Sequence, residues 1–96
     1  MAYFILFYKT SEHYLEDRKP FRAQHLALAK AAQESGILLL AGALETPSDE
    51  AMLIFKAEQI SEVENFAKTD PYVIHKVVKN WVISPWNVAM GTLIEP

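Results

Sequence analysis

The chain has 96 residues, 51% of them apolar, and carries twelve acids against nine bases for a net charge of -3. That length supports one hydrophobic core and a single domain over 1–96, and the acidic balance lacks the basic footprint of phosphate-backbone binding, so no nucleic-acid partner is expected. With no cysteine present, disulfides, thiolate nucleophiles and cysteine-held zinc or iron–sulfur centres are excluded together.

In chain order, Tyr3 to Tyr8 is an unbroken aromatic and aliphatic run that reads as a strand buried on both faces. It falls far short of the roughly 20 residues that cross a bilayer, and no leader or lipidation signal is evident. No membrane partner is expected, and the default location is the cytoplasm. Lys9 to Lys19 is dominated by charge and reads as a loop with at most one helical turn. From Pro20 to Ser35, Phe21, His25, Leu28, Ala29 and Ala32 recur at the spacing of one helical face, which predicts a helix opened by Pro20 and closed by Gly36.

Ile37 to Leu44 follows as a second strand, expected to be central in its sheet. Polar Glu45 to Glu50 forms a hairpin loop, and Ala51 to Lys56 returns as a third strand antiparallel to the second. Ser61 and Glu64 have the spacing of a capping box for a second helix, with Val63, Phe66 and Ala67 turned inward. Asp70-Pro71 ends that helix, because the residue before proline is pushed out of helical geometry, and Tyr72 to His75 can add one turn. Val77 to Val88, interrupted by Pro85, reads as a long bent strand near an edge.

The resulting order β, α, β, β, α, β is the ferredoxin-like α+β arrangement, a four-stranded antiparallel sheet with two helices on one face. Two helices cannot cover Tyr3, Phe7, Leu38, Leu40, Met52, Trp81 and Trp86 together. An uncovered apolar sheet face associates, and a second copy across a two-fold axis would close it. A homodimer with a barrel-like interior is therefore expected.

Among residues able to do chemistry, His25 lies on the apolar helical stripe and should point toward the sheet. An imidazole oriented by a nearby carboxylate suits a general base near neutral pH, while a purely structural histidine fits the pattern as well. Asp70 is a candidate acid at a helix end, where an aspartate before proline also serves as a turn residue. Nothing in their separation joins the two. Arg22, three residues before His25 on the same helix, is placed to hold a carboxylate or phosphate of a small-molecule ligand. Ser48, in the hairpin loop, is a candidate ligand contact at the mouth of a barrel. His13 and His75 lack ligand spacing, so no metal site is expected. The G-x-G-x-x-G, P-loop and G-x-S-x-G patterns are all missing, and no cofactor is expected.

Taken together, Arg22-Ala23-Gln24-His25-Leu26, Ala41-Gly42, Asp70-Pro71-Tyr72-Val73 and Pro85-Trp86 resemble the YCII-like family, in the same order and at similar separations over nearly the whole chain. The resemblance implies a dimeric α+β barrel fold, shared with muconolactone isomerases and small monooxygenases. It also implies a pocket holding a histidine–aspartate pair, which by motif position would be His25 and Asp70, with Arg22 adjoining and Tyr72 at its border. The activity so implied is proton abstraction, elimination or isomerisation on a small molecule; the alternative is a non-catalytic metabolite-binding or regulatory dimer. Ala43 and Ala51 replace a proline and a glycine of the family pattern, and His75-Lys76 stand where small residues, often Ala-Gly, are usual. If that segment borders the pocket, these larger residues would narrow it or add a cation.

Overall fold

Alternation along the first strand, β1 (Ala2–Thr10), sorts its side chains between two environments in the computed structural model. Phe4, Leu6, Tyr8 and Thr10 are buried, whereas Tyr3, Ile5, Phe7 and Lys9 on the other face stay partly exposed. The structure describes residues 2–92, so the two ends of the expected 1–96 domain lie outside the described residues.

β1 is followed by a single turn α1 (Tyr14–Asp17), a 3-10 turn (Lys19–Phe21) and the long helix α2 (Arg22–Glu34). Next come β2 (Leu38–Ala43), β3 (Glu50–Ala57), α3 (Ile60–Thr69), the short α4 (Pro71–Ile74) and β4 (Val78–Trp86). The strands form one antiparallel sheet in the order β2-β3-β1-β4. This is the ferredoxin-like α+β fold anticipated from the element order.

One strand differs in place. β2 is an edge strand paired only with β3, not a central one, and the central pair is β1 with β3. The strand divides its leucine run between the two faces: Leu38 lies opposite Phe55 on the helix side, and Leu40 lies opposite Ile54 on the other side, 56% exposed. A register shift between Leu38 and Leu40 accompanies the change. β4 lies on the other edge as expected, where Pro85 costs the sheet little.

The stripe read on α2 is the face it presents: Phe21, His25, Leu28, Ala29 and Ala32 are the residues of Phe21–Glu34 that are not exposed. Gly36, at φ +88°, supplies the left-handed backbone that closes this helix. The second helix begins earlier than the Ser61 spacing implies. Gln59 is its N-cap, and Glu62, rather than Glu64, turns back to accept from the backbone N–H groups of Gln59 at 3.1 Å and Glu58 at 2.9 Å. Val63, Phe66 and Ala67 are buried as expected, and Phe66 meets Phe55 of β3 edge-on at 5.1 Å.

The core is therefore one-sided. It joins Phe4, Leu6, Leu53, Phe55 and Leu38 of the sheet to Ala32, Val63, Phe66 and Ala67 of the helices. Of the seven residues expected to overflow, Leu38 and Trp81 belong to the helix side, Trp81 lying opposite Tyr8. Tyr3, Phe7, Leu40, Met52 and Trp86 are on the uncovered face with Ile5, Ile54 and Val82. Among the described residues no helix is long and apolar enough to cross a membrane.

Candidate functional site

Asp70 sits where two helices meet. The proline after it forces an extended backbone, φ -67° and ψ 122°, so α3 ends and Asp70 becomes the N-cap of α4, with Pro71 in the first position. Its side chain accepts from the Tyr72 backbone N–H at 3.0 Å. So far this is only a well-made turn, but the carboxylate is fully buried, and two further donors converge on it. The Tyr8 hydroxyl of β1 donates to Oδ2 at 2.8 Å, and His25 Nδ1 of α2 lies 2.9 Å from Oδ1 and 3.0 Å from Oδ2.

A carboxylate facing Nδ1 holds the proton on that nitrogen and leaves Nε2 with its lone pair. Among the described residues Nε2 has no hydrogen-bond partner, and 16% of the side chain is exposed. The imidazole is also clamped from the side, because its ring lies parallel to Tyr72 with centroids 3.8 Å apart. Tyr14 meets the Tyr72 ring edge-on at 6.0 Å, and the Arg18 guanidinium lies over Tyr14 at 5.0 Å.

These groups line a cleft of about 260 Å³, walled by α2 on one side and by Ala41, Gly42, Ala43, Ala51 and Leu53 on the other. The volume is slightly under the ~300 Å³ at which drug-sized sites begin, so the cleft suits a single substituted ring. A larger groove of about 750 Å³ adjoins it, sharing Tyr14, Arg18 and Ala43 and lined further by His13 and Ser48.

The structure thus brings His25, Asp70, Arg22 and Tyr72 together and sets Ser48 apart. Ser48 is exposed on the hairpin and lines the adjoining groove, not the cleft. The His75-Lys76 pair does not narrow the cleft either: His75 stacks on Phe21 with centroids 4.1 Å apart, and neither residue lines the cavity. Lys76 does take φ +62°, so a side chain stands in the left-handed region where the family pattern has glycine, at a cost of about 1 kcal/mol. Among the described residues no group of three or more His, Asp or Glu side chains is arranged to hold a metal ion.

Tyr8, Tyr14 and Arg18 are cleft residues that the sequence reading missed. Tyr8 did carry a signal. It continues the buried row of Phe4 and Leu6, and a tyrosine in such a row needs a partner for its hydroxyl. Tyr14 and Arg18 lie in the charged segment after β1, where no periodicity marks them.

Burial, the Asp70 charge and the hydrogen bond to it all push the Tyr8 phenol well above its ordinary value of 10.0. Burial and then Tyr14 raise Tyr72 in the same direction, with Arg22 and Arg18 pulling back. A tyrosine ionises in the unfolded chain near pH 10 but stays protonated here, so this stabilisation is complete below about pH 10 and is lost as pH rises. The expected slope is about 1.4 kcal/mol per pH unit for Tyr8. Urea unfolding at increasing alkaline pH should show it, with a shallower decline in Tyr8→Phe; equal slopes would contradict the coupling.

Comparison with known proteins agrees with the fold. A 5-chloro-2-hydroxyhydroquinone dehydrochlorinase from Burkholderia phenoliruptrix, solved in complex with 2,5-dihydroxybenzoquinone, superposes with a TM-score of 0.75 at 20% identity, over 91% of this chain and 95% of that one. A protein from Agrobacterium tumefaciens gives 0.62 at 15% identity, over 93% and 94% of the two chains. An antibiotic biosynthesis monooxygenase gives 0.61 at 8% identity, over 94% and 100%. These likenesses show a shared fold. No curated protein matches the chain in sequence. The YCII-related domain, however, matches residues 1–87, nearly the full length and including every residue of the cleft, and the chain belongs to that family.

Proposed function

We propose that the chain is a small-molecule enzyme in which His25 acts as general base. The observation that carries this reading is the contact of His25 Nδ1 with the fully buried Asp70 carboxylate, which leaves Nε2 free at a cleft sized for one ring. His25 Nε2 takes a proton from an acidic O–H or C–H of the substrate, Asp70 fixes the tautomer and stabilises the imidazolium that forms, and Tyr8 holds Asp70 in place. Elimination or isomerisation follows from such a proton transfer. The fold likeness to a dehydrochlorinase supports the elimination branch. Two copies are expected to pair through their uncovered sheet faces, giving a homodimer with a cleft in each protomer.

The test begins with chlorinated hydroxyhydroquinones and other acidic phenols, following chloride release and substrate absorbance. A positioned general base contributes about 10²- to 10⁴-fold, and His25→Ala should lose that much turnover while retaining its fold by circular dichroism. Full turnover in His25→Ala on a converted substrate refutes the base assignment. A ligand that binds and is recovered unchanged from the wild type favours the non-catalytic metabolite-binding reading instead.

A further inference from the structure

The cleft contains an unsatisfied polar group. Tyr72 is 1% exposed, yet its hydroxyl makes no hydrogen bond among the described residues, although leaving a buried hydroxyl unpaired is costly. The ring lines the cleft and is locked between His25 and Tyr14. Arg22 and Arg18 line the same cleft, and against the upward push of burial their charges pull the Tyr72 phenol down. Neither guanidinium is ion-paired with a carboxylate among the described residues, whereas Lys9 and Lys19 each are.

The positive charge is also local. The groove next door shares Arg18 but is also lined by Glu12, Glu16, Glu45 and Asp49, so Arg18 and Arg22 come together only in the cleft. α2 begins at Arg22 with no acidic residue in its first turn and no side-chain cap, which leaves the partial positive charge of its N-terminus uncompensated. Arg18 is held over Tyr14 rather than free in solvent, so part of its ordering entropy is already lost before a ligand arrives.

We propose that Arg18, Arg22 and the Tyr72 hydroxyl form an anion-binding wall of the cleft, so that the site takes a small planar ligand carrying a carboxylate or phenolate oxygen. Tyr72 donates to that oxygen, the guanidiniums neutralise it, and the parallel stack of Tyr72 on His25 brings the ligand ring beside the imidazole. The inference rests on the cleft being the substrate site and extends that reading to the substrate's charge.

Binding can be measured without turnover, using benzoate, its neutral analogue benzamide and para-nitrophenolate as probes in calorimetric and NMR titrations. Benzoate or nitrophenolate should bind at least about tenfold more tightly than benzamide, and the stronger of the two identifies the oxygen preferred. Arg18→Gln and Arg22→Gln should each weaken the preferred anion by about three- to tenfold, leave benzamide unchanged and flatten the salt dependence. Tyr72→Phe should weaken the anion yet raise the melting temperature, a pairing that a merely structural tyrosine would not give. Equal binding of charged and neutral probes, no saturable anion binding at millimolar concentration, or unaltered affinity in both arginine variants overturns the proposal. His25→Ala should keep the preference for the anion, so a failed base assignment leaves this result standing, and a lost preference with intact turnover refutes only the anion wall.

Discussion

Asp70→Ala is expected to lose about 3 to 5 kcal/mol of stability and about 10²- to 10⁴-fold in turnover on any substrate the wild type converts. The stability loss follows from what the carboxylate satisfies. Removing it strands at once the buried Tyr8 hydroxyl, the buried Tyr72 backbone N–H and the part-buried His25 Nδ1–H. It also removes the N-cap of α4. Because this variant can fail to fold, Asp70→Asn separates the two effects. The amide keeps the shape and one acceptor, but its NH₂ faces donors, so a loss of about 1 to 3 kcal/mol is expected with the fold intact.

Nitrogen chemical shifts of His25 offer a direct readout. In the wild type they should report the proton on Nδ1, and in Asp70→Asn the tautomers should become mixed or reversed. An unchanged tautomer together with unchanged turnover would reduce Asp70 to a cap for α4. Denaturant unfolding supplies the stability figure, and a loss below about 1 kcal/mol for Asp70→Ala would contradict the buried-carboxylate account.

The second large effect concerns the uncovered sheet face. Tyr3, Ile5, Phe7, Leu40, Met52, Ile54, Val82 and Trp86 make a continuous apolar surface, and Val88 and Met90 border it at one end. Such a face is expected to bury about 1,200 to 2,000 Å² in total against a second copy, the size of a stable interface. The measurable consequence is a sedimentation mass of two chains at micromolar concentration. Leu40→Lys combined with Val82→Lys places a charge on each edge strand, and the two-fold axis doubles both. Each side chain is more than half exposed in the isolated protomer, so the helix-side core is untouched. The pair should weaken association by at least about 10³-fold and yield a folded monomer. A wild-type mass of one chain would refute the dimer, and a variant that stays dimeric would place the interface elsewhere.

The folded chain also explains why the departures from the family pattern are tolerated. Ala43 and Ala51 face each other across β2 and β3 at the cleft wall, where small side chains keep the cavity open. His75 turns away to stack on Phe21, and Lys76 absorbs a left-handed backbone at modest cost. These substitutions leave the cleft lined by small aliphatic groups on the sheet side and by polar groups on the helix side.

Local pattern alone determined much of this protein. The order of elements, the inward stripe of α2, the glycine that ends it and the break at Asp70-Pro71 all follow from interactions between residues a few positions apart. The sequence pattern carries such interactions because helical and strand periodicities and the steric demands of Gly and Pro are local. The family motifs likewise singled out His25 and Asp70 as a possible pair. Only the tertiary structure decided what depends on contacts distant in the chain. That His25 meets Asp70 across 45 positions, and that Tyr8 reaches the same carboxylate across 62, depends on how β1, α2 and the α3–α4 junction dock. Which leucine of β2 joined the core was settled by a shift in register against β3, not by composition. Arg18 and Tyr14 were invisible for a related reason: their place beside Tyr72 comes from packing an irregular segment, and irregular segments have no period from which a facing side can be read.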